Sequence, residues 1–261
     1  MKAQINDIEI SYRDEGLGTP VIFLHAFPLN QSMWDAQVEA LRDHCRVITV
    51  DLRGHGESEA PFWFSSMEQF AGDVRALMDH LSIPKAVFVG LSLGGYVLFA
   101  FYRLYRERVF GLILSNTRPE ADTQEKRQER FRMAQLAYRG GASTVADVMI
   151  RKLLCRDSIT GRVDLVQKIR RMIEATPLQG IVGDLMGMAL RAEAMLSEIL
   201  CPTLVIVGKE DTLTTAQEAE RMAGKIAGAH CLVIPSAGHL PNMEQEERFN
   251  AAVLEFIQSI K

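Results

Sequence analysis

Only four of the 261 residues are cysteine, and none of them (Cys45, Cys155, Cys201, Cys231) falls in a CxxC pair. That spacing points to neither a zinc site nor a disulfide framework; four reduced, mostly buried thiols in a reducing compartment are expected. Positive charge is not in excess either. The 29 Lys and Arg stand against 33 Asp and Glu, a formal charge of −4. This argues against a general nucleic-acid binder, which needs a basic surface to neutralise phosphates. The opening residues, Met1 to Asp7, lack the apolar core of a signal peptide, so a cytoplasmic protein is expected. Low-complexity segments and repeats of about 20–50 residues do not stand out. Long uncharged runs are scarce. The one candidate, Ala86 to Tyr102, is nearly long enough to span a bilayer. Yet Gly90, Ser92, Gly94 and Gly95 interrupt it, and its β-branched residues lie in the first half. A buried strand running into a buried helix explains it better than a membrane span.

What is present is the composition of a globular chain, 48% hydrophobic. It excludes a disordered chain, a collagen-like chain and a small disulfide scaffold. The length suits one large α/β domain or a domain carrying an insertion. Ile8, Ile10 and Tyr12 alternate onto one face, as in an antiparallel edge hairpin. Short apolar runs follow at Pro20–His25, Arg46–Asp51, Ala86–Leu91, Val109–Ser115, Thr203–Gly208 and Cys231–Pro235. Because these runs do not alternate, they imply strands buried on both faces, hence a parallel sheet covered by helices. Helix starts are marked at Ser65-Ser66-Met67-Glu68, which fits a capping box, and at Thr215-Ala216-Gln217-Glu218. A last helix is expected from near Asn242, with Glu244, Glu246 and Glu247 favourably placed against its dipole.

The strand pattern disappears between about Arg118 and Leu200. Helix-forming sequence replaces it, punctuated by Gly140-Gly141, Gly161, Pro177, Gly180, Gly183 and Gly187. Its charge-dense opening, Arg118 to Arg132, is expected to be a solvated helix face. Met133, Met149, Met172, Met186, Met188 and Met195 lie in the same stretch, either as ordinary core filling or as a lid over a pliable pocket. The expected division is a core of residues 1–117 and 196–261, with a helical cap at 118–195 inserted in it.

Gly90-Leu91-Ser92-Leu93-Gly94 is G-x-S-x-G, directly after a predicted strand and opening a predicted helix. That context makes Ser92 a candidate nucleophile: the sharp turn leaves little room beside it and pushes its hydroxyl out at the strand's C-terminal end. A serine hydroxyl needs a base to take its proton. Of the six histidines, His239 lies on a loop after a late strand at that same end. His230 lies at the entering end of that strand, His44 and His80 near helix ends, and His25 and His55 before the nucleophile. The orienting acid should fall between Ser92 and His239 in chain order. Asp211, following Thr203–Gly208, fits best; Glu210 and Asp122 are rivals. An oxyanion hole needs two donors. The Leu93 N–H is one, and the Phe27 N–H in His25-Ala26-Phe27-Pro28 is the most plausible other. No metal or organic cofactor is implied.

These residues resemble the α/β-hydrolase fold superfamily over nearly the whole chain. Besides the order Ser92, Asp211, His239, the stretch Asp51-Leu52-Arg53-Gly54-His55-Gly56-Glu57-Ser58 is similar to the family's D-x-R-G-H-G-x-S turn. In the family that turn is mainly structural. His25-Ala26-Phe27-Pro28 is similar to its H-G-x-P oxyanion loop, with Ala26 in the place of a glycine. Ser115 to Thr123 is similar to the cap entrance of 3-oxoadipate enol-lactonases and related small esterases. The resemblance implies a mostly parallel sheet of about eight strands, helices on both faces and a helical cap.

The favoured function is a serine esterase or lactonase (a carboxylic-ester hydrolase) that cleaves a small substrate through an acyl-enzyme. A dedicated enol-lactonase and a carbon–carbon bond hydrolase are alternatives on the same triad. A hydrolase-fold ligand-binding or signalling protein is the alternative from another class. Haloalkane dehalogenases and epoxide hydrolases resemble this chain less, because they carry a carboxylate where Ser92 stands. The only expected partner is the small-molecule substrate, with neither nucleic acid nor membrane. The methionine-rich insertion is expected to roof an apolar pocket suited to an uncharged acyl group. A substrate carboxylate would need a cationic partner there. Arg118 and Arg132 are the nearest candidates, and both are expected to face solvent. Phe62-Trp63-Phe64 could line the entrance or pack under the insertion.

Overall fold

A computed structural model describes residues 1–60 and 64–260. Eight strands form one sheet in the order β1-β2-β4-β3-β5-β6-β7-β8. β1 (Lys2–Ile5) and β2 (Ile8–Glu15) form the antiparallel hairpin at one edge, and β2 pairs antiparallel with β4 (Arg46–Val50). From β4 onward the pairing is parallel, through β3 (Pro20–Leu24), β5 (Ala86–Leu91), β6 (Val109–Ser115), β7 (Thr203–Gly208) and β8 (His230–Ile234). All six residues of β5 are buried. That is the requirement of a central strand with helices on both faces, and it explains why the run does not alternate. β8 is the other edge, and there burial does alternate.

The core helices are α1 (Asp35–Leu41), α2 (Met67–His80), α3 (Leu93–Tyr105), α8 (Ala216–Ala223), α9 (Pro241–Glu244) and α10 (Glu246–Ser259). Every residue of α3 from Leu93 to Tyr102 is buried, which accounts for the uncharged run seen in the sequence. Among the described residues, no helix is long and apolar enough to cross a membrane. α8 starts on the expected capping box of Thr215 and Glu218. For α2 the box is shifted by one residue, to Ser66 and Gln69. Ser65 is buried instead, its carbonyl oxygen filling the space where a Gly187 Cβ would stand. The expected last helix is broken at Gln245, and Glu244 is buried rather than set against a dipole.

Between β6 and β7 lie, among the described residues, four α-helices, a short 3-10 helix (Leu196–Glu198) and no strand; the α-helices are α4 (Gln124–Leu153), α5 (Arg156–Gly161), α6 (Val163–Ala175) and α7 (Leu178–Leu190). α4 is kinked at Gly141, whose φ of 71° only glycine adopts readily. This helical insertion packs over the C-terminal ends of the strands. One tie is a fully buried pair, His55 Nε2 to Asp184 Oδ2 at 2.6 Å, joining the loop after β4 to α7. Burial works against His55 protonation, yet Asp184 beside it raises its pKa overall. Phe62 and Trp63 lie outside the described residues; Phe64 is exposed.

Candidate active site

Ser92 stands between β5 and α3 with φ of 55° and ψ of −107°. A non-glycine residue takes such angles only where its surroundings impose them. Here the flanking glycines are sterically required: a Cβ at Gly94 would come within 2.2 Å of the Leu24 carbonyl oxygen, and one at Gly90 within 2.7 Å of the Gly94 backbone. The Ser92 N–H donates to Ser115 O at 2.9 Å, and the Thr117 hydroxyl donates to Ser92 O at 3.0 Å. The turn is therefore anchored to β6, and Ser92 opens into a cavity that His239 also lines.

Asp211 and His239 come from the loops after β7 and β8. His239 Nδ1–H donates to Asp211 Oδ2 at 2.7 Å, with both side chains almost fully buried. Burial alone would raise the Asp211 pKa. His239, the Thr214 hydroxyl at 2.5 Å and the Asn116 amide at 2.7 Å outweigh it and hold the carboxyl below the usual range. The other Asp211 oxygen accepts from the N–H of Leu213 at 2.8 Å and of Thr214 at 3.2 Å. The two rival acids are engaged elsewhere. Glu210 accepts from the N–H groups of Ser236 and Ala237, and Asp122 binds Arg130 and Arg191.

Phe27 lines the same cavity, and Leu93 is the first residue of α3. Neither N–H donates to another backbone group among the described residues. Ala26, where a glycine stands in the family, needs no left-handed angle here. The loop is instead braced by His25. His25 Nε2 accepts from the Leu52 N–H at 3.0 Å, which leaves Nδ1–H to donate to Ala26 O at 3.0 Å. Burial and the neighbouring His55 push the His25 pKa well down, consistent with that neutral role. The Asp51 turn is likewise occupied with structure. Asp51 accepts from the Gln31 N–H and side-chain amide, and Arg53 pairs with Asp73 at 2.6 Å.

Two supporting residues were not visible in the sequence. Asn116 ties Asp211 to the loop before His239 by donating to Gly238 O at 3.3 Å as well. Glu244 accepts from the N–H groups of Gly238 at 2.6 Å and Cys155 at 2.9 Å, so it holds that loop against the end of α4. Only Glu244's place five residues after His239 could have signalled it.

The cavity holds about 740 Å³, its open mouth included. Met133, Met149, Leu185 and Met188 of the insertion roof it, as the methionine pattern suggested. Its lining is more apolar than polar, as expected, but it is not free of charge. Arg118, Lys126, Arg130 and Lys152 line it, with Glu129 as the one carboxylate among its lining side chains. The expectation that Arg118 faces solvent therefore fails. Arg118 follows the C-terminal end of β6, is half-buried, and lines the cavity beside Tyr96, one turn along α3 from Ser92. Lys126, Arg130 and Met133 share one face of α4 by their spacing of four and three, so the basic residues point in with the methionine. Arg132 lies off that face and is exposed, as expected.

Comparison with known proteins fits this geometry. The family model for the α/β-hydrolase fold matches residues 19–246. A curated relative, 3-oxoadipate enol-lactonase 2 of Acinetobacter baylyi, is 30% identical over 95% of this chain and 92% of its own length. Among solved structures, a thermophilic esterase from Thermogutta terrifontis, with malate bound, is 41% identical with a TM-score of 0.96, covering 100% of this chain and 98% of that one. The enol-lactonase from Burkholderia xenovorans is 30% identical with a TM-score of 0.93, covering 99% of this chain and 100% of its own. With a strained serine at the strand-to-helix turn, a buried Asp–His pair beside it and a family match across most of its length, this chain belongs to the α/β-hydrolase fold family of enzymes.

Proposed function

We propose that the protein is a serine hydrolase that cleaves a small carboxylic ester or lactone through an acyl-enzyme, and that its substrate carries a free carboxylate. The observation that carries the mechanism is the buried Asp211–His239 pair facing the same cavity as Ser92. Ser92 Oγ attacks the substrate carbonyl while His239 Nε2 takes its proton. Asp211, held ionised by its donors, keeps the imidazole in the tautomer whose Nε2 is free and stabilises the imidazolium. The carbonyl oxygen, now negative, is met by the N–H groups of Phe27 and Leu93. His239 passes the proton to the leaving alkoxide. Water then attacks the acyl-enzyme, giving its proton to His239, and the carboxylic acid leaves as Ser92 is restored.

The charge of the cavity argues for the substrate class. Four cationic side chains against one carboxylate line the cavity, and although Arg130 already pairs with Asp122 and Lys126 with Glu129, the excess of positive charge favours a substrate that brings a carboxylate of its own. This reverses the preference for neutral esters that the sequence suggested. The relatives point the same way: one esterase holds malate, and others act on an enol-lactone of 3-oxoadipate.

A panel of neutral esters and lactones, beside lactones bearing a free carboxylate, tests the proposal with Ser92→Ala as control. Ser92-dependent turnover, faster for the carboxylated members, is expected. Faster turnover of the neutral members overturns the charge preference. Turnover that survives Ser92→Ala, or its absence throughout, overturns the hydrolase reading.

A further inference from the structure

A second cavity lies behind the reaction cavity, and two side chains, Tyr96 and Arg118, line both. It holds about 620 Å³, open mouth included. Much of its lining is apolar, from Met67, Phe99, Ala100, Ala194, Met195 and Ile199. Three of its charged groups are paired, Arg103 with Glu68 at 2.5 Å and Arg191 with Asp122 at 2.5 Å, while Glu193 and Glu198 are exposed to solvent.

The wall between the cavities is pinned on several sides. The Tyr96 N–H donates to Ser92 O at 3.2 Å, which sets the ring one helical turn from the candidate nucleophile. Its face lies on the Arg191 guanidinium, 4.1 Å from the ring centroid. Arg191 is itself buried, donating to Glu120 O at 2.7 Å and Met188 O at 2.9 Å besides Asp122. Arg118 lines both cavities beside the ring. A ring held by a cation on its face and a helix at its base is not free to swing aside.

We propose that Tyr96 sets the length limit of the substrate, closing the reaction cavity against a second, mostly apolar cavity that would otherwise receive the distal end of an aliphatic ester chain. The inference rests on the esterase reading above. Tyr96 is a specificity-determining residue whose bulk, rather than its hydroxyl, excludes longer chains. Each methylene admitted to an apolar pocket favours the longer substrate by about tenfold or more, so removing the ring should be plainly visible.

The test measures kcat/KM for p-nitrophenyl esters from acetate to decanoate and for acetates of linear alcohols. The proteins are wild type, Tyr96→Ala, Tyr96→Phe and the double variant Tyr96→Ala/Ala194→Phe. Tyr96→Ala should raise the ratio of long-chain to acetyl (or long-alcohol to methyl) kcat/KM at least about tenfold in one series. Tyr96→Phe, which keeps the ring, should leave that ratio within about twofold. Ala194→Phe, which refills the second cavity, should cancel the gain. Labelling by a serine-directed phosphonate checks that each variant is folded, and Tyr96→Leu replaces Tyr96→Ala if the latter does not fold. An unchanged ratio in both series in a folded, labelled variant overturns the inference. If wild type shows no Ser92-dependent turnover, the esterase reading fails instead.

Discussion

Ser92 has no freedom to choose its angles: the carbonyl of Leu24 beneath Gly94 and the hydrogen bonds to Ser115 and Thr117 decide them. Replacing its hydroxyl alone should therefore spare the fold. Ser92→Ala is expected to lose phosphonate labelling and ester turnover with little change in melting temperature. Asp211→Asn should fold with some loss of stability, since Thr214 and Asn116 lose a charged acceptor, and should be far slower. An amide in place of the carboxylate can donate to His239 Nδ1, which puts the imidazole proton on Nε2, where the base is needed. The drop in kcat should be on the order of 10⁴ at neutral pH. Arg118→Gln separates binding from chemistry. A hydrogen bond to a charged group contributes about 1.5–3 kcal/mol, so KM for a carboxylated lactone should rise about tenfold or more. The KM of neutral esters should move little, and steady-state kinetics on the two classes checks the contrast.

The insertion is attached by buried polar contacts as well as by apolar packing. The His55–Asp184 pair is the clearest, since neither side chain has water to fall back on. Asp184→Ala leaves His55 Nε2 buried without a partner. Removing one member of a buried ionic pair typically costs about 3–5 kcal/mol, and denaturant unfolding should show it. Asp184→Asn, whose side chain can still bond the ring, should lose less. The same contact shows why local pattern missed part of the insertion. Asp184 sits in the apolar helix α7, where nothing nearby in sequence calls for a carboxylate. Its partner is 129 residues away.

Acid should unfold the protein through specific carboxylates. Asp211 and Asp122 both titrate below the ordinary 3.8, in each case because their partners outweigh burial. Asp122 gains from Arg130 and Arg191, which join the start of the insertion to its end. A carboxyl whose pKa is depressed on folding contributes stability that is present above its unfolded value and lost as pH falls through the folded one. Melting temperature should thus hold down to about pH 4 and fall steeply below it. Asp122→Asn should flatten that fall, while lowering stability at neutral pH because Arg191 is left buried beside a neutral group.

The sheet, the elbow and the loops that carry the candidate acid and base were legible in the order of residues alone. Those features rest on short-range physics. An apolar run without alternation must be buried on both faces, as β5 is, and glycines must flank a serine turned as sharply as Ser92. Asp211 and His239 were legible because each follows a strand on the side where α/β loops converge. What tertiary structure alone decided is which charged side chains turn inward. Arg118 and Arg132 looked alike as solvated cations, yet Arg118 lines the cavity half-buried and Arg132 remains exposed. Arg130 was drawn in by Asp122, Asp184 by His55, and Asn116 and Glu244 by loops far along the chain. A charged group goes where a partner repays its desolvation, and that partner is brought near only when distant elements pack.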